Sequence, residues 1–282
     1  MITTFIYGGL GNQLFQYSAG RALSLRHGVD LCLIWKGGSN KSRALSMMHF
    51  NLNCKILSSA SFMKRINFDV VKSYIKHGSP VIFREATLGF NNQFTSLGPN
   101  ICLNGYWQSE KFFTPIEDTI RQDLKILTPP SVQNQLLLEK IRSKDSIALH
   151  IRRGDYVTNP SAFAVHGTCN ISYYKNAMQY ITEKLQKQPV FYIFSDDIPW
   201  AMANLKNDHK MIFVNHNNDI QNYEDLRLMS YCKHNIIANS SFSWWGAWLN
   251  KNPNKIVVAP QKWYADHDTK NPDILPSNWV KL

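Results

Sequence analysis

MITTFIYGGLGNQLFQYSAGRALSLRHGVDLCLIW, residues 1–35, decides the fold. Residues 1–7 carry the apolar and β-branched run of a buried strand. Gly8-Gly9-Leu10-Gly11 comes next as a turn, and residues 12–27 read as a helix that Gly28 ends. Residues 29–35 return to a strand. A strand, glycine turn, helix and strand in this order open a parallel α/β sheet.

The same alternation fills the second half. Strands are expected at 146–151, 190–195, 211–214, 235–238 and 255–259, with helices at 172–188, 199–207, 220–231 and 242–249. Residues 36–100 read as mixed helix and loop, 101–105 as a short strand, and 106–127 as a helix. Thr128-Pro129-Pro130 breaks that helix and marks a domain boundary. The expectation is therefore two domains, 1–128 and 129–282, each built on a parallel sheet and facing an interdomain cleft. Ligands of open α/β sheets bind beyond the carboxyl ends of the strands.

Composition limits the function classes. A hydrophobic fraction of 44% supplies a core, and 12% aromatics argue against disorder. No apolar run reaches the length of a membrane span, and residues 1–11 lack the basic and apolar regions of a signal peptide, so a cytoplasmic chain is expected. Cys32, Cys54, Cys102, Cys169 and Cys232 show no CxxC spacing, which predicts free thiols rather than a zinc site. The formal charge of +11 is uneven: nine Lys/Arg oppose Asp69 alone between Lys36 and Arg84. That segment suits nucleic acid, an anionic membrane surface or a phosphorylated acceptor, or is a solvated basic face.

Four motifs carry chemistry. Gly11, Asn12 and Gln13 begin the first helix, where free N–H groups and the positive dipole end suit a phosphate, although a tight structural turn reads equally well. His150-Ile151-Arg152-Arg153-Gly154-Asp155 ends a strand. Adjacent arginines need an anion or a carboxylate, so Arg152 is the first candidate for a phosphate, with Arg153 a second donor or half of an internal salt bridge. Asp155 is either a general base or the group that orients the arginines. Asp196 and Asp197, at another strand end, suit guanine N–H groups or a helix cap. Asn239, Ser240, Ser241, Phe242 and Ser243 start a helix whose hydroxyls and N–H groups suit a cap or a phosphate, and Trp245 and Trp248 beyond them read as core. Asp266-His267-Asp268 matches a metal-binding D-x-D spacing but reads as a solvated loop, so no metal is expected.

Together these motifs resemble glycosyltransferase family 11, the α-1,2-fucosyltransferases. GGLGNQLFQYSAGRAL (8–23), GYWQSEKFF (105–113), HIRRGDYV (150–157) and LMSYCKHNIIANSSFSWWGAWL (228–249) match in order across nearly the whole chain. The resemblance implies a GT-B-like pair of Rossmann-type domains, the first on the acceptor side and the second binding GDP-fucose. It implies inverting transfer of L-fucose from GDP-β-L-fucose to the 2-hydroxyl of a galactose-terminated glycan, with no metal or other cofactor. Arg152 then grips the β-phosphate, His150 lines the same pocket, Asn12 approaches from the other domain, and Ser241, Phe242 and Ser243 hold the diphosphate. The guanine carboxylate falls to Asp196 or Asp197. The arginines are expected to face the serine-lined helix start across the gap between the domains.

Related fucosyltransferases carry a glutamate five residues beyond the aspartate; here that position is Pro160, and the base is left to Asp155 or His166. A lipid-linked acceptor or a membrane surface is the expected partner of residues 36–84, and nucleic acid is not. The competing readings are a fucosyltransferase of α-1,6 or protein O-fucosyl type, a basic nucleic-acid-binding protein, and a carbohydrate-binding module built on the tryptophans. No helix-turn-helix or zinc-finger motif supports the second, and the third has no use for paired arginines.

Overall fold

Strand β1 (Ile2–Ile6) lies at the centre of a parallel five-stranded sheet, flanked by β2 (Leu31–Trp35) and β5 (Ile101–Asn104). With β3 (Lys55–Ser58) and β4 (Val81–Arg84) the order is β3-β2-β1-β5-β4. The computed structural model describes residues 1–36, 45–58, 81–206, 208–266 and 268–282. Most of the basic segment, with Lys41, Arg43, Lys64, Arg65, Lys72 and Lys76, lies outside the described residues, so the membrane expectation placed there stays open.

The chain divides into two compact units: Met1–Thr128 with Asn271–Ile274, and Pro129–Lys270 with Leu275–Leu282. In the first, helix α1 (Leu10–His27) succeeds β1 and ends at Gly28. Buried Asp123 fixes this helix, accepting hydrogen bonds from the Tyr17 hydroxyl at 2.7 Å and Arg21 Nε at 2.8 Å. Asp123 closes the short helix α2 (Glu117–Asp123).

Two expectations fail in this unit. Residues 106–127 are not one helix: Trp107 takes a left-handed φ of 57°, short 3-10 turns occupy Glu110–Phe112 and Thr114–Ile116, and only α2 is α-helical. The aromatic residues of this stretch cluster irregularly with Phe94: Trp107, Phe112 and Phe94 meet edge-on or tilted at 4.8–5.8 Å. Strands β3 and β4, within a region read as helix and loop, complete the sheet.

The second unit holds a parallel sheet in the order β11-β10-β9-β6-β7-β8. Its strands are β6 (Ser146–Ile151), β7 (Val190–Ser195), β8 (Lys210–Val214), β9 (His234–Ile236), β10 (Val257–Ala259) and β11 (Val280–Lys281). From β6 the chain builds outward through β7 and β8, then returns to the other side of β6 as β9. The order thus reverses between β6 and β9. Helices α3 (Val132–Arg142), α4 (Gly154–Thr158) and α5 (Pro160–His166) were not expected from the sequence, and α4 and α5 are too short to show a period. Helices α6 (Ile171–Leu185), α7 (Ile198–Asn204), α8 (Asn222–Tyr231) and α9 (Ser241–Leu249) occupy expected positions.

Helix α9 starts beside the β6–β9 reversal, and its other end is fixed. Trp244, Trp245 and Trp248 are buried, Trp244 stacking on Trp248 with centroids 6.2 Å apart. Lys255 Nζ donates to the carbonyls of Ala247, Trp248 and Asn250 at 2.7–3.3 Å, placing a cation where the helix dipole is negative. Asn250 Nδ2 donates to Cys232 O and to Asn235 Oδ1, both at 2.7 Å, which ties the helix end to β9. Lys255→Met, which keeps the apolar stem, should cost about 2 kcal/mol. A thermal melt should show a loss of about 4 °C; an unchanged melting temperature would remove Lys255 as the anchor of this helix.

Candidate active site

The register of the second sheet assembles the site. Ile151 pairs with Ser195, so the next residues along the two strands set Arg152 beside Asp196 and Arg153 beside Asp197. Leu149 pairs with Ile236, which brings Asn239 and the start of α9 to the other side of Arg152. Three motifs scattered over the sequence therefore meet at the carboxyl ends of β7, β6 and β9, at the point where strand order reverses. Arg152 and the serine-lined helix start are not on opposite domains, as expected from the sequence; both belong to the second unit, on adjacent strands.

Arg152 is braced from two sides. One Nη contacts Asp155 Oδ1 at 2.5 Å and the other contacts Asp196 Oδ2 at 2.9 Å. Burial opposes the guanidinium charge, but Asp196 and Asp155 outweigh it and raise the pKa above its ordinary value. The side chain still exposes 31% of its surface. Its guanidinium carbon lies 5.3 Å from the Tyr156 ring centre.

Arg153 fulfils the internal-pair reading. Its Nε donates to Asp197 Oδ2 at 3.1 Å, and its guanidinium stacks 3.9 Å above the Trp200 ring. Its backbone N–H donates to Asp196 Oδ1 at 2.8 Å. Asp197 Oδ1 accepts from Trp200 N at 3.1 Å and caps α7. All four oxygens of Asp196 and Asp197 thus hold protein donors, Asp196 as a brace of Arg152 and Asp197 as the cap of α7. Gly154 is required beside them, because a Cβ there would overlap Asp196 Oδ2.

His150 is fully enclosed. Burial, reinforced by Arg152, pushes its pKa down to about 3, so the ring is neutral at any physiological pH. Its Nδ1 has no partner among the described residues, and its ring lies 5.6 Å from Phe242. Asp155 contacts Arg152, the geometry of the orienting reading. His166, the other candidate base, stacks on Tyr156 at 4.6 Å with planes 7° apart, and burial lowers its pKa. Pro160 stands at the first position of α5.

The helix start divides into struts and accessible groups. Asn239 is buried and donates to His166 O at 2.8 Å and Trp263 O at 3.2 Å. Ser243 is buried and its hydroxyl donates to Ser240 O at 3.3 Å. Ser240 occupies the N-cap position without a side-chain capping bond, and the first turn holds no acid. Ser241 and Phe242 are half-exposed. The positive end of α9 is therefore uncompensated by acidic residues of its own turn, and it lies beside Arg152.

Gly11, Asn12 and Gln13 belong to the other unit. The first turn of α1 also holds no acid, and Asn12 N and Gln13 N both donate to Gly9 O. The Gln13 amide donates to Gly8 O at 3.0 Å, which engages it in the turn, and Asn12 Oδ1 accepts from Gln108 Nε2 at 2.8 Å. In the D-x-D stretch, Asp266 accepts from Asp268 N and from the Thr269 hydroxyl; His267 lies outside the described residues. No cluster of His, Cys, Asp or Glu suited to a metal occurs among the described residues. None of the described helices is long and apolar enough to cross a membrane.

Sequence reading missed Tyr156, Trp200 and the brace formed by Asp196. Only Tyr156 left a signal, an aromatic four residues past Arg152 in a helix start.

Known proteins place this arrangement. The chain is 31% identical to an α-1,2-colitosyltransferase of Escherichia coli, over all of this chain and 99% of that one. It is 24% identical to the galactoside α-(1,2)-fucosyltransferase 1 of Mico humeralifer, over 88% of this chain and 65% of that protein. Among solved structures, POFUT1 in complex with GDP matches with a TM-score of 0.51 at 13% identity, covering 92% of this chain and 97% of that one, a likeness of fold that agrees with a GT-B-like α/β architecture. The profile of glycosyl transferase family 11 matches residues 1–282. The chain belongs to glycosyltransferase family 11 and is an enzyme that transfers a sugar to a glycan.

Proposed function

We propose that this enzyme transfers L-fucose, or its 3-deoxy analogue colitose, from the GDP-sugar to the 2-hydroxyl of a galactose residue, with inversion and without a metal. The observation that carries the reading is the pairing of a braced, partly exposed Arg152 with the acid-free start of α9. As the bond between the sugar C1 and the β-phosphate oxygen breaks, negative charge grows on the diphosphate. Arg152 and the positive end of α9 offset that charge, where many transferases use a divalent cation. The acceptor oxygen attacks C1 from the opposite face as that bond breaks, and passes its proton to Asp155, the carboxylate beside the phosphate motif. Asp155 and Asp196 hold the guanidinium in place, so little reorganisation is needed at the transition state. His150, being neutral, lines the pocket without adding charge. Asn12 and Gly11, at the acid-free start of α1, are proposed as further diphosphate contacts, and Phe242 as a wall of the pocket.

Colitose enters because the colitosyltransferase relative is the more similar of the two transferases compared, whereas the motif resemblance favours fucose. The acceptor is taken to be a lipid-linked glycan on the cytoplasmic side, which gives the basic segment 36–84 an anionic surface to meet.

A melt with GDP should raise the melting temperature, since a nucleotide that binds only the folded state stabilises it. With a galactoside acceptor, GDP release should occur from GDP-fucose or GDP-colitose and persist in excess EDTA; the preferred donor decides between the two sugars. Activity abolished by EDTA and restored by magnesium would sink the metal-independent reading. Arg152→Ala should lower kcat by about 100–1,000-fold with the fold retained, and Arg152→Lys should not rescue it, because an ammonium cannot reproduce the bidentate fork. Turnover by Arg152→Ala at the wild-type rate would remove the arginine from the phosphate.

A further inference from the structure

We propose that Tyr7, Tyr106 and Glu85 form a sugar subsite in the first unit that takes the neutral galactose-type acceptor. Tyr106 would cover the C–H face of the ring and Glu85 would accept hydrogen bonds from its hydroxyls. The inference rests on the glycosyl-transfer reading above and adds the acceptor's own contacts.

The three residues converge at the reversal of the first sheet. From β1 the chain builds outward through β2 and β3, then returns to the other side as β4 and β5, so the carboxyl ends of β1 and β5 meet where ligands of such sheets bind. Tyr7 leaves β1, Tyr106 leaves β5, and Glu85 leaves β4. One side chain holds the two central ends together: Gln16 Oε1 accepts from Tyr7 N at 3.0 Å, and Gln16 Nε2 donates to Gly105 O at 3.3 Å.

Glu85 is fixed with equal care. Its Oε2 accepts from Tyr106 N at 2.6 Å and its Oε1 from Trp107 N at 3.1 Å. The carboxylate can lie across this turn only because residue 105 is glycine; a Cβ there would overlap the Glu85 side chain. Trp107 accepts a left-handed φ of 57°, a conformation that costs a bulky residue energy and recurs at ligand sites. Its ring is buried against Phe83, Phe94 and Phe112, while the preceding Tyr106 stays 38% exposed. The chain spends strain and two backbone N–H groups to place a carboxylate beside an exposed aromatic ring.

The cluster's chemistry selects its ligand. Tyr7 and Tyr106 meet edge to face at 5.1 Å, and Lys36 Nζ sits over Phe5 at 3.9 Å and Tyr7 at 5.4 Å. Burial, with Tyr106 and Glu85 nearby, pushes the Tyr7 hydroxyl up to about 12, so it stays a donor. Burial also raises the Glu85 carboxyl, although its two backbone bonds pull the other way. Each carboxylate oxygen has a second lone pair for a ligand hydroxyl. A carboxylate repels phosphate, whereas an aromatic face, a phenol and a carboxylate together match a sugar with one apolar face.

The test uses the full chain loaded with GDP and methyl β-D-galactopyranoside as the probe, read by saturation-transfer NMR, with GDP affinity measured by calorimetry on the same samples. Wild-type protein should saturate the galactoside ring protons. Tyr106→Ala should weaken galactoside binding about tenfold or more, Tyr106→Phe should retain it, and Glu85→Gln should weaken it, all with GDP affinity unchanged. Unchanged galactoside binding in Tyr106→Ala, or no galactoside signal from wild type that binds GDP, overturns the subsite. Wild type that shows the Tyr106-dependent signal but no GDP binding supports the subsite and sinks the donor reading instead.

Discussion

The parallel ladder that joins β7, β6 and β9 is the constraint on which the site depends. Pairing of Ile151 with Ser195 and of Leu149 with Ile236 sets Arg152 between Asp196 on one side and the Asn239–Ser241 turn on the other. A slip of one residue would reverse every side chain of β6 and turn its apolar residues away from their core. Core packing of Ile147, Leu149 and Ile151 against α6 and the neighbouring strands therefore enforces the arginine's position. Stability and site geometry are here the same set of contacts.

The carboxylates around the arginines are a consequence of that placement. A guanidinium this deeply set is costly unless paired, and Asp155 and Asp196 supply the pairing while leaving part of the side chain exposed. Arg153, one residue on, is turned outward from β6 onto Trp200 and Asp197, where it locks the start of α7. One arginine is kept accessible and the other is used as a fastener. The neutral state of His150 belongs to the same balance: a second cation beneath Arg152 would repel it, and burial removes that charge.

The alternation of strands and helices was legible because both sheets are parallel and their central strands are buried on both faces, which leaves continuous apolar runs between glycine and proline breaks. The helix read over 106–127 failed because its aromatics serve an irregular cluster around Trp107, and side-chain periodicity cannot report a left-handed backbone. The candidate residues were legible as motifs: His150 is the next-to-last residue of β6, Arg152 follows its end, and Ser240 and Ser241 open α9. Their partners were not. That Asp196 braces Arg152 across 44 positions of sequence depends on strand register, which no local pattern encodes. That Gln13, Asn239 and Ser243 act as struts depends on burial, for a glutamine or serine in a motif reads the same whether it meets a ligand or a carbonyl.

The two reversal points differ in the charge they present, and the cause is the set of residues at which each strand ends. In the second unit, β6 runs into adjacent arginines and β9 into a helix whose first turn has no acid, so the ends present N–H donors and positive potential. In the first unit, β5 runs through Gly105 into two aromatics and β4 into Glu85, so the ends present rings and a carboxylate acceptor. An anion is favoured at the one; at the other the Glu85 carboxylate disfavours it at the Tyr106 turn, where a polyol with an apolar face gains from rings and acceptors. A sugar transferase has to bind an anionic donor and a neutral acceptor without exchanging them. Giving the two recognition chemistries to different side chains, each where a parallel sheet offers its free backbone groups, serves that requirement.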